Sequence, residues 1–182
     1  KLTRALPKAK RNLTNRKIDK DEEAISISKR YDFEYFDGDR KYGYGGYKYD
    51  GRWIPVAKDI IKHFNLKSGD RFLDIGCAKG FLMKDLIDEL PGLQVYGIEI
   101  SEYAIKNCHP DVKGKILKGN AKSLPFADNY FDAVISLDTI HNLDRNDVLT
   151  ALKEIERVTK DNNSFIKVDS YTTREEKEIF ES

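Results

Sequence analysis

Three acidic residues, each at or just beyond the end of a short apolar run, are the side chains of this chain best placed to do chemistry. The first is Asp74, in the run Phe72-Leu-Asp-Ile-Gly-Cys-Ala-Lys-Gly80. Gly76 and Gly80 let the backbone turn tightly and approach a ligand closely at the N-terminus of the helix expected to follow. The second, Glu99, ends the apolar run from Gln94 and stands nineteen residues beyond Gly80. A carboxylate at that spacing is placed to accept hydrogen bonds from both hydroxyls of a ribose. The third, Asp138, follows Phe131-Asp-Ala-Val-Ile-Ser136. A glycine pair alone is common in strand-to-helix turns, but joined to the acid it is a nucleoside signature.

Charge decides which nucleoside. The pyrophosphate of a dinucleotide prefers backbone amides with no carboxylate facing it. Three acids at adjacent strand ends repel it and suit a ligand carrying an ammonium and a sulfonium. S-adenosylmethionine is that ligand, and a nicotinamide-dependent enzyme is disfavoured. Lys79 runs against this balance, although its side chain can point outward to solvent. His141, in Thr139-Ile-His-Asn-Leu143, follows the strand that leads to Asp138. It has two readings: a neutral imidazole that takes a proton from the acceptor, with Asp138 as its companion, or a histidine hydrogen-bonded within its loop. His63 and His109 read as structural or solvated. Cys77 and Cys108 lack the spacing of a metal site and read as free thiols, so no metal is expected.

The segments that must position these residues alternate in character. Pro55 suits the first turn of a helix whose buried face carries Val56, Ile60, Ile61 and Phe64. A strand at 71–75 follows, then a helix from about Gly80 with Phe81, Leu82, Leu86 and Leu90 inward, stopped by Pro91-Gly92. A strand at 94–98 leads to a helix capped by Ser101 and running to Asn107. Strands are expected at 115–118 and 131–136. Asp144 caps a helix with Val148, Leu149, Leu152, Ile155 and Val158 on its apolar side. A fifth strand spans 164–168, and residues 173–180 read as a charged helix. Strands alternating with helices give an α/β fold, a doubly wound, mostly parallel sheet of about five strands. Its ligand lies beyond the carboxyl ends of the strands, where strand order reverses.

Four segments, Leu73-Asp-Ile-Gly-Cys-Ala-Lys-Gly80, Gly97-Ile-Glu-Ile-Ser101, Gly119-Asn-Ala-Lys-Ser-Leu-Pro-Phe126 and Phe131-Asp-Ala-Val-Ile-Ser136, resemble in order the motifs of class I S-adenosylmethionine-dependent methyltransferases. The resemblance covers roughly residues 54–170. It implies that Asp74, Gly76 and Gly80, with Cys77 in the same cofactor-binding loop, hold the methionine end, and that Glu99 holds the ribose. It further implies that Ile100 packs on the adenine, that Asn120 and Ala121 meet its exocyclic edge, and that Asp138 lies near the amino group or the acceptor. Two positions depart from the family pattern: Ala78 stands where glycine is usual, and Asn120 where aspartate is common. The family sheet also closes with an antiparallel strand pair that residues 171–182 cannot supply. The expectation is a C-terminally truncated fragment, since a bare edge strand invites aggregation.

Two zones precede the domain expected at 54–182. Residues 31–53 carry six tyrosines with Arg52, Trp53 and several glycines. They read either as a surface lid packed over the sheet or as a cover for the cofactor, with Tyr42, Tyr44 or Arg52 meeting the methionine carboxylate. A similar segment loosely resembles one in methyltransferases of bacterial surface-polysaccharide biosynthesis. Residues 1–30 form a basic extension; within 1–20, eight Lys or Arg face one acid, Asp19, in a chain whose net charge is +1. Such an arm reads first as a solvated extension, and second as a contact for nucleic acid or an acidic partner. No apolar run is long enough to cross a bilayer, and residues 1–20 show no secretory pattern, so the cytoplasm is the expected compartment. The expected activity is methyl transfer to an oxygen or nitrogen of a small-molecule acceptor, such as a sugar or phosphorylated precursor. No Asn/Asp-Pro-Pro-aromatic run follows the fourth strand, which disfavours an exocyclic base amine as acceptor. The rivals are an RNA methyltransferase, motivated by the basic arm and by Lys167 beside Asp138, and a non-catalytic binding subunit. A homo-oligomer is compatible with the sequence.

Overall fold

Strands whose residues are buried on both faces explain why this chain needs helices on both sides of its sheet. The computed structural model describes residues 22–167. The described chain divides into a larger unit, residues 49–167, and a smaller one, residues 22–48. The basic stretch 1–20 and the helix expected at 173–180 lie outside the described residues.

The larger unit contains five strands: β1 (Arg71–Ile75), β2 (Gln94–Glu99), β3 (Ile116–Lys118), β4 (Ala133–Leu137) and β5 (Ser164–Lys167). Their order is β3-β2-β1-β4-β5, and every pairing is parallel. Order therefore reverses between β1 and β4, as expected of a doubly wound sheet. On one face Phe72, Val95, Ala133 and Ile135 pack with Val56 and Ile60 of α3 (Ile54–Phe64) and with Leu82, Met83 and Leu86 of α4 (Phe81–Glu89). On the other face Leu73, Ile75, Ile98 and Val134 pack with Ala151, Ile155 and Val158 of α6 (Arg145–Val158). Fully burying one such Ile or Leu contributes roughly 1.5–3 kcal/mol, so neither helix layer is dispensable.

Local chemistry sets the helix ends. Pro55 sits in the first turn of α3, and Asn65 closes it in the left-handed conformation. Ser101 accepts from the Ala104 N–H at the start of α5 (Glu102–Lys106), and Asp144 accepts from the Asp147 N–H at the start of α6. Some expectations are corrected. Leu149 and Leu152 of α6 are exposed, because the buried stripe runs through Ala151, Ile155 and Val158. β4 starts at Ala133, and Phe131 instead forms an isolated bridge with Thr159.

In the smaller unit α1 (Glu22–Ser28) precedes the one-turn α2 (Phe33–Phe36), which Asp32 caps. Tyr44 lies against Tyr35, Phe36 and Tyr47, with ring centres 5.3, 5.8 and 4.3 Å away. The Lys41 ammonium lies 4.7 Å from the centre of the Tyr42 ring.

Candidate functional site

The turn after β1 is built around residues that leave no room for ordinary side chains. Gly76 has φ +79°, and a Cβ there would lie 2.0 Å from Thr139 Oγ1. The loops after β1 and β4 thus touch at the switch point. Gly80 has φ +72°, and its Cβ would lie 2.6 Å from Val112. Between them Ala78 takes φ +52°, a left-handed conformation that costs an L-residue about 1–2 kcal/mol. The alanine therefore strains the loop where the family pattern has glycine.

Glu99 fixes that strained position. Its Oε2 accepts from the Ala78 N–H at 2.8 Å, and its Oε1 accepts from the Ser101 N–H at 2.9 Å. Burial raises the Glu99 pKa, although amides of Ser101, Ala78 and Ile100 oppose the rise. Each carboxylate oxygen keeps a second lone pair for a hydroxyl donor. Asp74 is different. No hydrogen bond reaches its side chain among the described residues, and burial, with the nearby Glu99 charge adding to it, pushes its pKa up to about 7. It is a buried carboxyl lacking the cation that would offset its desolvation.

Adjacent strand ends complete the edge. Ile100 is 57% exposed, a large aliphatic side chain presented bare just beyond β2. After β3, Asn120 Oδ1 accepts from the Lys122 N–H at 2.9 Å, leaving its amide group for other contacts, and Ala121 is buried. After β4, Asp138 has φ +53°, donates its N–H to the Lys167 carbonyl at 2.8 Å, and pairs its carboxylate with the Lys167 ammonium. His141 is exposed in a single 3-10 turn, Ile140–Asn142, and no described residue hydrogen-bonds its ring.

The structure therefore gathers Asp74, Gly76, Gly80, Glu99 and Asp138 at one edge of the sheet and corrects several details. Lys79 is not turned to solvent: it is 6% exposed, with its ammonium 5.7 Å from the centre of the Tyr103 ring. The Cys77 side chain belongs to the core beside Gly97 and Met83, which leaves only its backbone to face a ligand. Asp138 is partnered by Lys167 and not by His141, and His141 is not held by bonds within its loop. Arg52 is gripped by Asp50 through Nε and Nη2. Tyr42 and Tyr44 lie in the smaller unit, within the ring contacts given above. Nothing in the sequence singles out Thr139, because its approach to Gly76 exists only once β4 pairs with β1.

Residues 73–166 match the family profile of the methyltransferase domain. The chain belongs to the class I S-adenosylmethionine-dependent methyltransferases. The demethylmenaquinone methyltransferase of Geobacillus stearothermophilus is 36% identical over an alignment of 116 residues that covers 60% of this chain and 49% of that protein. The mitochondrial arginine-hydroxylase NDUFAF5 of Mus musculus is 33% identical over 109 residues, 59% of this chain and 29% of that protein. Among solved structures, one from Anabaena variabilis, described as a candidate methyltransferase of antibiotic biosynthesis, superposes with TM-score 0.51 and 28% identity. It covers 59% of this chain and 42% of its own. The chain spans about half the length of the demethylmenaquinone methyltransferases it matches. The edge presents an acid clasped by two backbone amides, a buried carboxyl and a bare aliphatic side chain. Among the described residues no helix is long and apolar enough to cross a membrane, and no cluster of side chains could hold a metal ion.

Proposed function

We propose that this chain binds S-adenosylmethionine along the carboxyl edge of β1–β3 and transfers its methyl group to an oxygen or nitrogen of a small-molecule acceptor. The observation that carries the reading is Asp74: a buried carboxyl with no hydrogen-bond partner among the described residues, beside a glycine loop and a clasped Glu99. The cofactor's ammonium would supply the missing cation, and its ribose hydroxyls would donate to the free lone pairs of Glu99. Ile100 would cover the adenine, while the Asn120 side chain and the Ala121 backbone read its edge.

Bound S-adenosylmethionine supplies an electrophilic methyl carbon, so the protein's share of the chemistry is positioning and proton removal. With the nucleoside over β2 and β3, the reacting end would lie at the β1–β4 switch, and the acceptor would approach over β4 and β5. His141 stands on that side and takes the acceptor's proton. Asp138, held by Lys167, borders the same space and meets either the ammonium or the acceptor. Arg52, once it leaves Asp50, would be available to the methionine carboxylate. We read the acceptor as a sugar or phosphorylated precursor, and the compartment as the cytoplasm. The demethylmenaquinone methyltransferases favour a small acceptor of another kind, a quinone precursor.

A second reading draws on the Asp138–Lys167 pair: a lysine beside the reacting centre lowers the pKa of a ribose hydroxyl, with residues 1–20 holding RNA. Calorimetry with S-adenosylhomocysteine and with NAD tests the first reading. Micromolar binding of the former with none of the latter is expected, and the reverse overturns it. Steeply salt-dependent RNA affinity that disappears on deleting residues 1–20 favours the second.

A further inference from the structure

Tyr49 is fastened to the helix that begins at the glycine loop. Its hydroxyl donates to Asp85 Oδ1 at 2.5 Å. Its ring meets Phe81 edge-on at 5.7 Å and the His109 imidazole at 5.0 Å, and the Lys84 ammonium lies 5.5 Å from its centre. Two of these contacts bear directly on the loop. Phe81 is the residue after Gly80, and the His109 N–H donates to the Lys79 carbonyl at 2.9 Å.

Asp85 makes the arrangement informative. It is 1% exposed, its Oδ2 has no hydrogen-bond partner, and the Tyr49 hydroxyl is the one donor its side chain receives among the described residues. It lies on the inward stripe of α4 with Phe81, Leu82 and Leu86, where a leucine would pack without any desolvation cost. A buried carboxyl is weak evidence for stability; what it contributes is a directional bond that an apolar side chain cannot make. That bond ties the segment entering α3 to the first turns of α4.

We infer that the Tyr49–Asp85 clasp is a positioning device for the cofactor loop: it holds the start of α4, and through Phe81 and His109 the Lys79–Gly80 turn, in the form that binds S-adenosylmethionine. This rests on the cofactor reading proposed above. Without the clasp the helix start shifts away from Tyr49, and the left-handed Ala78 relaxes out of reach of Glu99.

The test uses the full 182-residue chain and S-adenosylhomocysteine as probe, with affinity measured far below the unfolding temperature. Tyr49→Phe keeps the ring contacts and removes the donor. Asp85→Leu removes the acceptor while filling the core, so it stays folded even where Tyr49→Phe does not. Both are expected to bind at least about threefold more weakly, a loss of at least about 0.7 kcal/mol on the scale where tenfold is about 1.4 kcal/mol. Amide exchange across residues 76–80 should quicken while that of residues 133–137 stays unchanged. Asp85→Asn, which keeps a carbonyl for the Tyr49 hydroxyl, should retain affinity within twofold. A wild-type chain that does not bind the probe overturns the cofactor reading itself. A wild-type chain that binds, with Asp85→Leu within threefold of it, overturns the clasp alone, whatever happens to the melting temperature.

Discussion

Replacing Asp74 by Asn should stabilise the ligand-free protein and cripple its cofactor binding. The Asp74 carboxyl rises from its ordinary 3.8 to about 7, first because burial penalises the charge and second because Glu99 is near. The folded state therefore binds this proton more tightly than the unfolded chain does. Stability must fall as pH climbs from about 4 to about 7, then level off. At about 1.36 kcal/mol per pKa unit, the ionised carboxyl takes up to about 4 kcal/mol from the fold at pH 7.5, reduced to roughly 2–4 by relaxation and water penetration. Asp74→Asn keeps the shape and removes the charge. Urea titrations at pH 7.5 should show a gain of about 2–4 kcal/mol that shrinks by more than half at pH 5, where the wild-type residue is protonated. Calorimetry should show the opposite trend for S-adenosylhomocysteine: wild-type affinity tightening by up to about tenfold from pH 6 to 7.5, and little binding by the variant. Equal stabilities at pH 7.5, or a gain that is the same at both pH values, would refute the argument from burial.

Four further substitutions probe the rest of the edge. Glu99→Ala leaves the Ala78 and Ser101 amides without their acceptor; it should cost about 2–4 kcal/mol in thermal or chemical unfolding and weaken S-adenosylhomocysteine about 10- to 150-fold. Retained affinity would remove Glu99 from the ribose. Gly76→Ala places a Cβ 2.0 Å from Thr139 Oγ1 at a positive φ, and should lower stability by about 2 kcal/mol or more with loss of cofactor binding. Ala78→Gly relieves the left-handed strain; a rise of up to about 1 kcal/mol in unfolding free energy, with cofactor affinity kept, is expected. His141→Ala, assayed by product formation once an acceptor is found, should lose roughly two to four orders of magnitude in turnover while binding cofactor normally. Normal turnover across the pH range would show that His141 is not the base.

Local pattern alone determined the elements. The strand 71–75, the Pro55 helix, the Ser101 and Asp144 caps and the parallel alternation were legible because period, capping oxygens and turn glycines act over a few residues. The acids of the site were legible for a related reason: their spacing from strand ends and glycines is a chain-local quantity. What the tertiary structure alone decided is which groups meet. Lys79 is buried against Tyr103, Cys77 enters the core, and Thr139 fills the space a Gly76 side chain would need. Each depends on strand order, which brings together residues tens of positions apart. The exposed Leu149 and Leu152 carry the same lesson. A helical period fixes which residues share a face, but only packing against the sheet shows that the covered stripe of α6 runs through Ala151, Ile155 and Val158. Asp85, on the buried stripe of its helix, accepts from Tyr49, thirty-six residues earlier, because only the packed fold puts that hydroxyl within reach.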